Sequence, residues 1–277
     1  MRLGGPLFAK PADPASWIAA CRAKLYRAAY CPLPAEASDA DCSAWSAAAA
    51  RADLVIAEVG AWSNPLSPDP AERSAAMEKC KRALALAERV GARCCVNISG
   101  SRGAKWDGPH QLNLTEETFG MVVDSVREIV DAVRPRRTCY TLETMPWMYP
   151  DSAESYARLL SAIDRPAFAV HFDPVNLVAS PQLYARNGAM IRDFVKRLGP
   201  RIRSCHAKDV RLAEKLTVHL DEVRPGTGGL DYRAFLAAAA ALDPDTPVML
   251  EHLPAESEYD LAAAHLRGVA VAEGLSL

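Results

Sequence analysis

Apolar positions along the chain fall into two alternating textures. Short runs rich in Val, Ile, Cys and Tyr occur at 2–8 (RLGGPLF), 26–32 (YRAAYCP), 54–62 (LVIAEVGAW), 92–100 (ARCCVNISG), 138–146 (TCYTLETMP), 167–175 (AFAVHFDPV), 202–210 (IRSCHAKDV) and 246–254 (TPVMLEHLP). Runs of this length and composition predict buried strands. Longer amphipathic segments lie between them. Phe119, Val122, Val123, Val126, Ile129, Val130 and Val133 recur at the spacing of one buried helix face. Thr115 is placed to cap that helix, with Glu116 and Glu117 in a first turn where the helix dipole favours negative charge. Asp151 is expected to open the next helix, with Glu154 three positions on as a variant capping box. Ile191, Phe194, Val195 and Leu198 mark a further buried face, and the alanine-rich stretches at 47–50 and 237–241 are helix formers.

Eight strand–helix units in 277 residues give roughly 35 residues per unit, the spacing of a (β/α)8 TIM barrel. No Pro/Ser/Gly linker divides the chain, so residues 1–277 are expected to form a single α/β domain, irregular at its first two strands. The competing fold, an open doubly wound sheet, lacks the G-x-G-x-x-G fingerprint after the first strand.

Composition narrows the setting. Half the residues are hydrophobic, enough for a large core. A formal net charge of −2 and the absence of a basic run argue against a nucleic-acid partner. The eight cysteines form no spaced framework and no C-x-x-C pair, as expected of reduced thiols in a cytoplasmic protein. MRLGGPLFAK lacks the apolar core of a signal peptide, and no run of 18 apolar residues occurs, so no membrane association is expected.

Polar residues inside the strands are concentrated at one end. Glu58, Glu143, Asp173, His206 and Glu251 lie near the C-terminal ends of five strand runs, and Asn97 takes the corresponding place in the fourth. A parallel barrel brings these ends to one face, the face that carries active sites. Side-chain alternation puts His206 and Lys208 together, His171 with Asp173, and Glu143 with Thr141 and Met145. Carboxylates clustered in a low-dielectric mouth repel one another, at several kcal/mol per uncompensated ion, and a divalent cation removes the conflict. Glu143, Asp173, His206 and Glu251 offer three hard oxygen donors and one imidazole. That set suits Mn²⁺, Mg²⁺ or Co²⁺, with Zn²⁺ as an alternative.

The series LETMP, HFDPVN, CHAKD and LEH resembles the sugar phosphate isomerase/epimerase family of xylose-isomerase-like TIM barrels, which includes D-tagatose 3-epimerase and its relatives. The resemblance covers nearly the whole chain. It implies that Glu143, Asp173, His206 and Glu251 bind one divalent metal, Mn²⁺ foremost, and that the two glutamates are acid/base groups on either side of a small carbohydrate. It also implies a substrate-binding role for Arg224 in VRPGTGGLDY, and a homodimer or homotetramer. Two departures stand out. Asn176 occupies the place of a sugar-contacting histidine, and Lys208 is not a general feature of the epimerases. Lys208 is therefore a candidate for chemistry or substrate binding, with a carboxylate ion pair as its alternative.

Around this set, Glu58, Asn97, His171 and Asn176 are candidate substrate contacts, with structural hydrogen bonding as the alternative for Glu58 and a core or outer-layer place for His171. Trp62 and Trp147 are candidate walls of the pocket. RPGTGG reads as a tight turn before a helix starting near Asp231 in preference to a phosphate cradle. His219 reads as a loop or substrate contact, while His110, His252 and His265 carry no further signal. The expected activity is metal-dependent isomerisation or epimerisation through an enediolate. The alternatives are a lyase or dehydratase acting on an oxidised sugar derivative, then an apurinic-site endonuclease, then a non-catalytic sugar-binding barrel. The charge of −2 and the missing histidine cluster oppose the endonuclease.

Overall fold

The computed structural model describes residues 1–277. Eight parallel strands close into a barrel: β1 (Arg2–Gly4), β2 (Ala28–Tyr30), β3 (Val55–Gly60), β4 (Cys94–Asn97), β5 (Tyr140–Glu143), β6 (Phe168–Phe172), β7 (Ile202–Ala207) and, after an antiparallel hairpin of β8 (Asp209–Leu212) and β9 (Leu220–Val223), β10 (Pro247–Leu250). Pairing of β1 with β10 closes the ring, Leu3 opposite Val248. The first two strands are present but only three residues long, and one residue of each pairs across. All eight cysteines are free thiols. No helix is long and apolar enough to cross a membrane.

Strands buried on both faces need apolar side chains toward the helices and compatible groups within the barrel. In β6, Phe168, Val170 and Phe172 are fully buried on the helix side. Phe172 stacks on Phe194 of α7 (Asn187–Leu198), ring centroids 4.2 Å apart. A buried ring of this kind contributes about 2–3 kcal/mol. The helices begin where local chemistry supplies acceptors for their free N–H groups. Thr115 Oγ1 accepts from Thr118 N ahead of α4 (Glu116–Val133). The cap of α5 (Ala153–Ile163) is Ser152, not Asp151: Ser152 Oγ accepts from Ser155 N while Ser155 Oγ accepts from Ser152 N. The reciprocal box needs side chains at cap and third position that reach back to the backbone, and two serines provide it without Glu154.

The stretch 202–210 is not one strand. β7 ends at Ala207, and Asp209 starts the hairpin above the barrel rim. The RPGTGG segment closes that hairpin around the buried Asp209 carboxylate. Asp209 Oδ2 accepts from Gly226 N and Gly228 N at 2.9 and 3.0 Å, and Oδ1 from Val210 N and Leu230 N at 2.8 and 2.9 Å. Gly226 lies at φ 92°, where a side chain is strained. The glycine turn therefore cradles an anion, and that anion is the protein's own. Asp231 then caps α8 (Tyr232–Ala240) through Ala234 N.

Candidate metal centre

Four side chains from four strand ends converge at the barrel mouth. Glu143 ends β5, His206 lies in β7, and Asp173 and Glu251 directly follow β6 and β10. Ligand atoms of Glu143, Asp173, His206 and Glu251 lie within 4.8 Å of one another. His206 turns Nδ1 toward the group, 2.8 Å from Glu251 Oε1, 3.0 Å from Glu143 Oε1 and 3.7 Å from Asp173 Oδ2. Each position follows from the two-residue alternation of a strand: Cys205 and Ala207 pack in the core while His206 and Lys208 face the barrel axis. Asp173 is fixed further by Val175 N and Asn176 N, which both donate to its Oδ1 at 2.9 and 3.1 Å. Its other oxygen, Oδ2, is buried and, like Glu251 Oε1, accepts no well-aligned hydrogen bond. Two buried carboxylate oxygens aimed at one point, with an imidazole nitrogen beside them, are a donor set a divalent ion satisfies.

Lys208, almost wholly buried, extends along the same face. Its Nζ lies 2.5 Å from Glu251 Oε1, 2.9 Å from Asp173 Oδ2 and 3.4 Å from Glu143 Oε1. Asn176 Nδ2 donates to Glu143 Oε1 at 3.1 Å. Burial opposes charge on Asp173, Glu251, His206 and Lys208, yet their partners outweigh it. Lys208 and the imidazolium of His206 hold the Asp173 carboxyl below its ordinary range, and His206 then Lys208 bring Glu251 down to about 2. Burial lowers the pKa of His206, but Glu251, Glu58 and Glu143 raise it well above the ordinary histidine value. Asp173, Glu143 and Glu251 do the same for Lys208 against its burial.

A second polar layer lies beneath. Glu58, only 1 % exposed, pairs in register with Cys94, the first residue of β4, so it sits well below the rim. Its Oε1 accepts from Ser204 Oγ and meets His171 Nε2 at 2.9 Å; its Oε2 meets His206 Nε2 at 3.3 Å. Burial disfavours the Glu58 carboxylate, but the charges of His206 and His171 prevail and keep its pKa below the ordinary range. Glu58 and His171 are both enclosed, and both of the Glu58 oxygens have partners within the protein, the arrangement of the structural and outer-layer alternatives. Asn97 has protein partners as well. Fully buried, it donates to Cys80 Sγ at 3.3 Å and accepts from Ser63 N at 3.1 Å, pinning the loop after β3.

Among the remaining candidates, Trp62 stands over the site, its ring 6.5 Å from that of His206. Trp147 is tied through Nε1 to Asp107 O at 2.8 Å, on the loop that precedes α4. Arg224 pairs with Glu258 at 2.9 Å, lining a cleft of about 330 Å³ beside the mouth with Glu222, Thr227, His252 and Pro254. His252 carries more than the sequence signalled. It follows Glu251 in a left-handed conformation, φ 60°, with Nδ1 3.2 Å from Glu222 Oε2 and Nε2 3.7 Å from Glu251 Oε2. The one available clue was adjacency to Glu251 in LEH. His219 lies in the segment joining the two strands of the hairpin.

A family profile described as xylose isomerase-like TIM barrel matches residues 25–269. No protein of curated function matches the chain in sequence. Among solved structures, the chain is similar to D-psicose 3-epimerase with D-tagatose from Clostridium cellulolyticum H10, at 16% identity, TM-score 0.69 and complete coverage (100%) of both chains. It is similar to the probable 3-DHS dehydratase of petrobactin synthesis from Bacillus anthracis, at 15% identity, TM-score 0.68, covering 97% of this chain and 98% of that one. A xylose isomerase-like TIM barrel protein from Mycobacterium smegmatis in complex with magnesium matches at 16% identity and TM-score 0.64, over 94% of this chain and 89% of that one.

Proposed function

Because the chain belongs to the xylose isomerase-like TIM-barrel family, we propose that its barrel mouth is the active centre of a divalent-metal-dependent isomerase or epimerase acting on a small sugar, sugar derivative or keto-sugar. The observation that carries this reading is the convergence of Glu143, Asp173, His206 and Glu251, with buried inward oxygens on Asp173 and Glu251 that face only the cationic groups of His206 and Lys208. These four residues would hold the ion, His206 through Nδ1, and the oxygen-rich set favours Mn²⁺. When bound, the ion supplies Lewis-acid polarisation of a substrate carbonyl.

The chain's own residues do the proton chemistry. One of Glu143 and Glu251 removes the proton from the carbon beside the carbonyl, giving an enediolate. The other returns a proton, to the opposite face for epimerisation or to the neighbouring carbon for isomerisation. Asn176 orients Glu143 through its 3.1 Å hydrogen bond. Trp62 supplies an apolar wall that excludes water, and Arg224 a cation at the rim. Lys208 presents an ammonium to substrate oxygen. A proton donor placed this close to Glu251 also supports a second reading, in which the same proton removal is followed by loss of a hydroxyl from an oxidised sugar derivative.

Keto-sugars incubated with the Mn²⁺-supplemented protein in D₂O should take up deuterium at one carbon, and E143Q or E251Q should lose this exchange while keeping the fold. Exchange that survives at near wild-type rate in either variant would overturn the assignment. Release of water from the substrate in place of an isomer selects the second reading.

A further inference from the structure

The atoms that face Lys208 Nζ are the atoms that would hold the ion. Glu251 Oε1, Asp173 Oδ2 and Glu143 Oε1 lie 2.5, 2.9 and 3.4 Å from the ammonium, and His206 Nδ1 contacts the same three oxygens. Lys208 is 2 % exposed, so this is not a surface pairing that swings in water. A lysine ammonium and a divalent cation cannot share these oxygens at such distances, because both are positive and the site is enclosed. A rim carboxylate stands beyond: Glu222 on β9 pairs across from Val210, two residues after Lys208, and its Oε2 lies 3.2 Å from Nδ1 of His252, whose Nε2 lies 3.7 Å from Glu251 Oε2. Glu222 is exposed at the rim and shared with His252.

We propose that Lys208 is the resident counter-cation of the metal-free site, holding its carboxylates assembled, and that loading drives its ammonium outward toward Glu222, where it meets substrate. This rests on the metal-site reading above. It assigns Lys208 two berths, an inner one among the metal ligands and an outer one on the hairpin. It also makes β8–β9, which carries Glu222, part of the loading equilibrium. Lys208 thus acts through the metal ligands when metal is absent and on substrate only once it has been displaced.

The test is calorimetric titration of the chelator-stripped protein with Mn²⁺ alone, for wild type, K208M, E222Q and the double variant. Methionine keeps the length and packing of the lysine stem without its charge. K208M should bind Mn²⁺ at least tenfold more tightly and, stripped of metal, should melt at a lower temperature than wild type. E222Q should weaken binding several-fold in the wild-type background and have no effect in K208M, since the outer berth matters only when there is a lysine to receive. Unchanged or weaker Mn²⁺ affinity in K208M, with wild type binding normally, overturns this proposal and leaves the metal site standing. Failure of both wild type and K208M to bind overturns the metal site and this proposal together. Binding by K208M alone supports displacement in its strongest form.

Discussion

Replacing Glu58 with glutamine tests the buried layer beneath the proposed metal centre. Glu58 is an acceptor on both oxygens, to Ser204 and His171 on Oε1 and to His206 on Oε2. While Nε2 of His206 donates downward, the lone pair of Nδ1 is available to a metal once its own proton leaves. Glutamine offers one acceptor oxygen and one NH₂. If its oxygen keeps Ser204 and His171, its NH₂ faces His206 Nε2, and the remaining proton is pushed to Nδ1, where it blocks ligation. If its oxygen keeps His206, the NH₂ displaces the bond to His171, whose Nδ1 already lacks a partner. The first arrangement preserves one more hydrogen bond, worth about 1 kcal/mol, so it dominates. Mn²⁺ affinity should fall about 10- to 100-fold, equivalent to about 1.4–2.8 kcal/mol. Calorimetry measures the loss. Nitrogen-15 spectra of histidine-labelled, Zn²⁺-loaded protein read the tautomer directly: Nε2–H with Nδ1 ligated in wild type, and a reduced population of that form in E58Q. An affinity within threefold of wild type, with the wild-type tautomer, would refute the reasoning.

Two further outcomes follow from the same geometry. D209A removes the acceptor shared by four backbone N–H groups and should cost about 2–4 kcal/mol in urea unfolding, with faster amide exchange at Gly226 and Gly228; a loss under 1 kcal/mol would show that the glycine turn stands without it. In chelator, thermal stability should be greatest between roughly pH 4.5 and 6.5. Asp173 and Glu251 have depressed folded-state values, so their contribution is complete above the unfolded carboxyl range and is lost as pH falls toward about 2, whereas His206 has a raised value, so its contribution is complete below about 6.5 and is lost as pH climbs through its folded-state value. A melting temperature still rising above pH 7.5 would contradict the His206 assignment.

What the amino-acid pattern reveals is set by its period. Alternation by two assigns His206 and Lys208 to one face and Cys205 and Ala207 to the other, and the structure keeps that division. The helix from Glu116 was legible because its cap and its apolar face agree. Depth along the barrel was not. Glu58 and Glu143 look equivalent within their strands, yet strand stagger sets Glu58 opposite the first residue of β4 and Glu143 opposite His171 near the end of β6. Register between strands is a tertiary quantity that no single strand encodes. The hairpin was hidden for a related reason. Lys208 interrupts an otherwise strand-like run, and only the fold shows that Asp209 and Val210 leave the barrel there to pair with Val223 and Glu222. RPGTGG displays the glycines of an anion-binding turn without saying which anion, and the answer lies 17 to 21 residues upstream.

The stacking of two polar layers bears on how such a protein can change its chemistry. His206 takes its orientation from Glu58, underneath, so one proposed metal ligand is held by a layer separate from the residues that line the mouth. On the function proposed above, Trp62 and Arg224 could be exchanged one at a time, each altering how substrate is held, without disturbing the hydrogen bonds of Glu58 to His171 and Ser204 below. Change at the mouth then leaves the lower layer whole, whereas change at Glu58 reaches a proposed metal ligand from below.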